Sequence, residues 1–299
     1  MKPSIAVAAL EEGVINTSST VTCSGYYHYR DITLKCTGVH GALNVVSAIN
    51  HSCNSFFYEM GRRLGINTMN TYRKCFGLGQ KTGIEIEEAS GTLDSPAYRQ
   101  SLNQTWYPGF NLQSAIGNAG DVVTPIQLAN YCATVANGGN LYKCTLIKSV
   151  KSYDCTKTIS ENKPVLLRKS TFSKTTMDAV RQGMHLVGTV GFCADTFSSL
   201  SVEAAAKTGT SQVEKTVNGV TKITNNGFLI TFAPYGNPEI AICVALEGAP
   251  SGSSVAPVAR DIYNYYFSSK EPDTSTNKAD QTNSETTTVI QNYESILLP

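Results

Sequence analysis

Apolar positions in this chain fall into a few blocks separated by long polar stretches. Ile5-Ala6-Val7-Ala8-Ala9-Leu10 has no polar face, and Glu11-Glu12-Gly13 closes it. This pattern predicts a buried helix ending at Gly13, with no capping residue ahead of it. Residues 16–38 are polar and turn-rich, with a Tyr/His cluster after Cys23-Ser24-Gly25. A second helical pattern runs from about Val45 to Leu64 through Ala48, Ile49, Phe56, Phe57, Tyr58 and Met60. Ser52-Cys53-Asn54 falls near its middle, or at a junction between two shorter helices. His51, Ser52, Asn54 and Ser55 together suit either capping groups or a functional site. Residues 65–105, rich in Gly, Asn and Ser, read as loop.

The second half begins with a clear helix signal. Thr124 is placed to cap, Pro125 takes the first helical position, and the pattern stops at Asn137-Gly138-Gly139. Residues 140–168 alternate as a hairpin, Leu141 to Val150 and then Ser152 to Ile159. A helix is expected over about Thr175–Val187. Val202-Glu203-Ala204-Ala205-Ala206-Lys207-Thr208-Gly209-Thr210 leads into a strand. Two buried strands follow, Phe228–Ala233 and Ile240–Leu246, with Pro234-Tyr235-Gly236-Asn237-Pro238 turning between them. An amphipathic helix spans about Val255–Phe267. Residues 268–299 are Ser/Thr/Asn/Lys/Glu-rich and read as a disordered polar tail after a domain covering 1–267.

Composition narrows the function classes. A hydrophobic content of 41% supports a sizeable core. The net charge of +1 argues against nucleic acid as a partner. No run approaches the ~18 apolar residues of a membrane span. The start carries no basic segment followed by a long apolar one, so no signal or anchor is expected within the chain. Nine Cys cannot all pair within one chain. Cys23/Cys36 and Cys144/Cys155 could each close a short disulfide loop, or stay as free thiols. With no CxxC spacing and no paired His, linear spacing points away from a metal site, zinc included. No cofactor is implied.

Chemistry concentrates at Lys207-Thr208-Gly209-Thr210. A Lys supplies a point charge, two hydroxyls can bond a carboxylate, and Gly209 lets another backbone lie close. Together they suit an extended peptide ending in a carboxylate. A second Lys-Thr-Gly, Lys81-Thr82-Gly83, reads as a loop.

The order Lys2 on a buried helix, Ser52-x-Asn54, then Lys207-Thr208-Gly209 resembles the motif set of penicillin-binding proteins and β-lactamases. The chain resembles the transpeptidase domain of a class B penicillin-binding protein, of the division and sporulation type. Thr124-Pro125-Ile126-Gln127-Leu128-Ala129 and Phe232-Ala233-Pro234 also match that family. The resemblance implies an α+β fold with an antiparallel sheet flanked by helices. It implies Lys2, Ser52, Asn54 and Lys207 as catalytic residues, and Thr208, Gly209 and Thr210 as substrate-binding residues.

In the family the nucleophilic Ser stands three residues before the motif Lys, which falls ahead of Met1. The chain is therefore expected to be N-terminally truncated just after that Ser, without the fold's first strands and first helix. Ile240–Leu246 would then present an open sheet edge. Ser160–Lys163 and Ser275–Lys278 match Ser-x-x-Lys by chance, since neither opens a buried helix. The implied partners are the D-Ala-D-Ala stem peptide of peptidoglycan and β-lactams. In the full-length protein they include a membrane anchor, a place on the extracytoplasmic face of the membrane, and a glycan polymerase. The alternatives are a non-catalytic binding fragment and a D,D-carboxypeptidase or β-lactamase relative.

Overall fold

The computed structural model describes residues 1–217 and 220–269. The expected polar tail lies outside them from residue 270 onward.

The apolar opening forms α1 (Lys2–Glu11), in which Lys2 through Ala9 are all buried. Pro3 in the first turn suits a helix start, because its missing N–H has no partner there. The helix opens with Lys2 in its first turn, as expected, and ends at Glu11, just ahead of Gly13. Residues 16–38 are not merely turns. Four short strands form, β1 (Val21–Cys23), β2 (Tyr26–Tyr29), β3 (Ile32–Lys35) and β4 (Gly41–Leu43). They pair antiparallel as β1 with β4 and β2 with β3.

Next come α2 (Val45–Asn50) and α3 (Asn54–Cys75), so Ser52-Cys53 is the junction between two helices. Asn44 caps α2 by accepting from the Ser47 N–H at 3.0 Å. Helix α3 runs well past Leu64, through residues assigned to loop from their Gly and Asn content. Gly65 accounts for the misreading: its φ of 71° and ψ of 164° kink the helix without ending it. Short helices α4 (Pro96–Ser101) and α5 (Gly109–Ala115) lead to α6 (Pro125–Ala136), capped by Thr124 as its sequence predicts.

Residues 141–168 form two nested ribbons rather than one hairpin. Strand β5 (Leu141–Tyr142) pairs with β8 (Leu166–Arg168), and β6 (Ser149–Lys151) with β7 (Thr158–Glu161). Helices α7 (Lys174–Thr189) and α8 (Ala194–Phe197) precede the main sheet. Its strands are β9 (Ala205–Val217), β10 (Val220–Ala233) and β11 (Ile240–Glu247), and α9 (Ala256–Ser268) closes the described chain.

The main sheet is antiparallel in the order β11-β10-β9. Strand alternation gives it two buried faces. Ala205, Ile230 and Phe232 join the larger core, built from α1, α2, α3, α6 and α7. Ala206, Leu229 and Ala233 join a second core with Ala256, Ala259 and Tyr263 of α9. Tyr263 also donates its hydroxyl to Thr231 Oγ1 at 2.9 Å. The fold is thus α+β, with an antiparallel sheet between helical layers. Among the described residues β11 pairs only with β10, so its outer side is an edge, as expected for Ile240–Leu246. Strand β9 is the opposite edge, and Lys207 sits near its start.

Candidate active site

The α2–α3 junction builds the first half of the site. Ser52 N–H donates to Ile49 O at 3.1 Å and Cys53 N–H donates to Ala48 O at 3.0 Å. This is the Schellman pattern of helix termination, whose turn residue adopts a left-handed conformation. That residue is usually Gly; in this chain it is Ser52, with φ of 50°. A non-Gly residue held there is strained, and such strain gathers at functional sites. The turn presents the Ser52 hydroxyl and the Asn54 amide on one side.

Lys2 reaches this turn from the first turn of α1. Its Nζ donates to Ser52 O at 2.6 Å, Ser52 Oγ at 2.9 Å and Asn54 Oδ1 at 2.7 Å. Lys207 arrives from β9, and its Nζ donates to the same Ser52 Oγ at 2.9 Å and to Thr208 O at 2.8 Å. Both amines are nearly inaccessible, Lys2 at 8% exposed and Lys207 at 5%. Burial pushes Lys2 down to about 8, against an opposing pull from Cys36 and Cys53. Burial, then the charge of Lys2, holds Lys207 well below the ordinary lysine range. Two amines, both lowered by burial, therefore meet at one hydroxyl oxygen, the arrangement that proton transfer through that hydroxyl requires.

Lys2, Ser52, Asn54, Lys207, Thr208, Gly209 and Thr210 all line one cleft of about 180 Å³. Lys81 is elsewhere and exposed. Its neighbours Thr82 and Gly83 donate their N–H groups to Glu88, which makes that loop a braced turn. A larger open groove of about 650 Å³ beside Asn67, Lys74 and Ser95 shares no residue with the cleft.

Sequence reasoning missed several contributors. Thr37, Ile116 and Asn118 also line the cleft. The Ile116–Asn118 rim is braced from beneath by fully buried Arg73. Arg73 donates to Ser114 Oγ at 2.7 Å and lies 3.4 Å from the Asp121 carboxylate, which also accepts from Ser114 Oγ at 2.9 Å. Gly252 N–H donates to Thr210 Oγ1 at 3.0 Å, leaving the Thr210 hydroxyl proton free to face a ligand. A Cβ on Gly252 would lie 2.3 Å from Gly209 O, so this is the close backbone approach foreseen at Gly209. No local pattern marks these residues; only the fold brings them to the cleft.

All nine cysteines are free, so neither suggested disulfide forms. Linear spacing points away from a metal site. It conceals a cluster in which the donor atoms of Cys23, Cys36, His40 and Cys53 lie within 4.8 Å of one another. These four residues could hold a soft divalent cation beside the Ser52 turn.

With fold and cleft in view, the class is plain. A family model for the penicillin binding protein transpeptidase domain matches residues 1–264, and the chain belongs to that family. It is 32% identical over 303 residues to the peptidoglycan D,D-transpeptidase MrdA of Salmonella typhimurium, covering 94% of this chain and 47% of that protein. It is 30% identical over 295 residues to the MrdA of Haemophilus influenzae, covering 91% of this chain and 44% of that protein. The chain thus spans less than half the length of these relatives. Among solved structures, Pseudomonas aeruginosa PBP2 in complex with WCK 5153 superposes with a TM-score of 0.77 at 29% identity. That match covers 89% of this chain and 59% of the other. A complex of Helicobacter pylori PBP2 with MreC shares the fold, with a TM-score of 0.77 at 22% identity, over 90% of this chain and 49% of that one. Among the described residues no helix is long and apolar enough to cross a membrane.

Proposed function

We propose that the chain is part of a peptidoglycan D,D-transpeptidase that cross-links stem peptides by acyl transfer and is acylated by β-lactams. The observation that carries this reading is the convergence of Lys2 and Lys207 on Ser52 Oγ, each at 2.9 Å, in a cleft walled by the β9 edge. The family resemblance assigns attack to a Ser three residues before Lys2, a position outside residues 1–299, and to none of the serines within them.

In the proposed mechanism Lys2 takes the nucleophile's proton as it attacks the penultimate D-Ala carbonyl. Its lowered pKa makes the neutral amine accessible near neutral pH. Ser52 passes that proton to the departing D-Ala amine, and Asn54 holds the peptide amide. Lys207, Thr208 and Thr210 bind the terminal carboxylate, and Gly209 lets the peptide lie along β9 as an added strand. The Thr210 N–H supplies half of the oxyanion hole. An acceptor amine then releases the acyl group and forms the cross-link.

The full-length protein would act at the extracytoplasmic face of the membrane, beside a glycan polymerase. This part of the proposal draws on relatives. One solved neighbour is described as coordinating polymerization and crosslinking in a peptidoglycan synthase complex, and another is bound to MreC.

Intact-protein mass after incubation with a penicillin tests the reading. A chain extended upstream through the nucleophile should gain one acyl adduct, while the chain starting at Met1 gains none. Loss of a catalytic nucleophile can lower rates on the order of a millionfold. In the extended chain Lys207→Ala should weaken labelling and Lys81→Ala should not. A stoichiometric adduct on Ser52, Ser160 or Ser275 would overturn the assignment, as would an unlabelled extended chain.

A further inference from the structure

The nested ribbons at residues 141–169 depart from the rest of the chain in charge. They hold seven of its 24 basic residues and two of its 23 acidic ones, a surplus of five positive charges in a chain whose net charge is +1. Among the described residues none of the seven is in a salt bridge. Asp154, one of the two acids, is engaged inside the tip turn, where it accepts from Ser152 Oγ at 2.6 Å and Thr156 Oγ1 at 2.8 Å.

The same segment holds apolar side chains out in solvent. Leu146, Ile147, Val150 and Ile159 stand exposed along its outer part, and Tyr153 is fully exposed at its tip. Such a concentration of exposed apolar groups marks an interaction surface. The base is fastened to the body of the protein. Asn130 of α6 donates to Tyr142 O at 3.0 Å, Cys144 N–H to Thr82 O at 3.1 Å and Leu146 N–H to Glu85 at 2.9 Å. Beyond that base β6 and β7 pair with each other, and no other element packs closely on either face. The tip is shaped in advance: Ser152 N–H donates to Lys157 O at 2.8 Å, and Lys157 N–H donates to Ser152 Oγ at 3.0 Å.

Charge makes the partner anionic, and the apolar groups say which kind. Ile147-Lys148, Val150-Lys151 and Leu167-Arg168 each set a cation beside an apolar side chain. A Lys stem can lie among acyl chains while its amine meets a headgroup phosphate, and Tyr has the same apolar body and polar end. A soluble polyanion would leave the apolar side chains in water. A folded acidic protein would cover one face of the ribbon and leave the other bare. A bilayer interface surrounds the tip on all sides.

We propose that residues 141–169 dock the domain on an anionic phospholipid surface. Val150, Tyr153 and Ile159 enter the headgroup layer, and Lys148, Lys151 and Lys157 meet its phosphates. No residue of this segment lines the cleft, so docking leaves the Ser52 site open. The inference stands apart from the acyl-transfer proposal, because vesicle binding is measured without any turnover.

The test is sedimentation of the full chain with phosphatidylcholine vesicles containing about one-third phosphatidylglycerol, in roughly 50 mM salt. Binding is expected to these vesicles and not to phosphatidylcholine alone. A basic residue at such a surface is worth about fivefold in partition, so Lys148→Glu/Lys151→Glu/Lys157→Glu should weaken binding by at least ~100-fold. The same change at exposed lysines elsewhere, Lys35→Glu/Lys74→Glu/Lys222→Glu, should weaken it no more than about tenfold. Tyr153→Ser/Ile159→Ser keeps the charge and should still weaken it about tenfold or more. A polarity-sensitive dye on Cys155, an exposed thiol in the tip turn, should shift to the blue on the mixed vesicles. This last readout needs no substitution, so it survives if a variant fails to fold. No binding to the mixed vesicles, equal binding to phosphatidylcholine, or equal losses in the two lysine triples would overturn the proposal. So would binding that ignores Tyr153→Ser/Ile159→Ser and leaves the dye unshifted, the result expected of an anionic polymer or an acidic protein as partner.

Discussion

Replacing Ser52 by Ala and by Gly separates the two things this residue does. Both variants lose Oγ, the acceptor shared by Lys2 and Lys207. Leaving those two buried donors one acceptor short should cost about 1–3 kcal/mol in either variant. The variants differ only at the backbone, where φ is 50°. An L-residue there is disfavoured by about 1–2 kcal/mol, and Gly escapes that strain. Gly also has more freedom in the unfolded chain, which offsets about 0.4–1 kcal/mol of the gain. Ser52→Gly should therefore be more stable than Ser52→Ala by about 0.5–1 kcal/mol, a difference of roughly 1–4 °C in Tm for a domain of this size. Urea unfolding of both variants at pH 7, with calorimetry as a check, measures it. If Ser52→Ala equals or exceeds Ser52→Gly in stability, the left-handed strain at this turn is refuted. In the upstream-extended protein neither variant should support transpeptidation, so the more stable variant would still be inactive.

Three further outcomes are expected. Lys2 is protonated in both states below pH 8, where its burial penalty is full; between about pH 8 and its ordinary 10.5 only the unfolded chain keeps the proton. Stability should therefore rise across that window by roughly 3 kcal/mol, and urea midpoints from pH 7 to 10 should show this rise in the native chain but not in Lys2→Met. Gly252→Ala should destabilise by about 1–3 kcal/mol, because the new methyl meets the backbone of Gly209 and Phe228; an unchanged Tm would contradict this. Arg73→Ala should cost about 3–5 kcal/mol by leaving Asp121 buried without its partner, and a loss under 1 kcal/mol in urea unfolding would show that the pair is not what braces the rim.

Legibility in the sequence followed how local each signal was. The Thr124-Pro125 start and the Asn137 stop of α6 depend on neighbouring residues alone, and they were readable. The extension of α3 to Cys75 was not, because Gly65 kinks the helix where its composition suggests an end. The outer halves of β9 and β10 are polar and largely exposed, so β10 is legible only from Phe228 onward, although the Lys207 stretch signals the start of β9. Lys2, Ser52, Asn54 and Lys207 are legible because the family resemblance supplies their order; the fold brings both lysine Nζ atoms to 2.9 Å from Ser52 Oγ and Lys2 to Asn54 Oδ1 as well. Thr37, Asn118 and Gly252 belong to loops whose positions are set by distant packing. Cys23, Cys36, His40 and Cys53 meet only in three dimensions, so linear spacing offers Cys23/Cys36 as a disulfide or free thiols and does not group them with His40 and Cys53.

Helix α1 has apolar residues on all sides, and its lysine meets partners contributed by much later parts of the chain. Ser52 and Lys207 are separated by 155 residues. At synthesis rates of ~5–20 residues per second, Ser52 emerges roughly 8–30 s before Lys207. For most of that interval α1 has α2 and α3 beside it but neither the sheet nor α7. The nascent chain therefore carries an apolar helix that is only partly sheltered until the last third of the sequence is made.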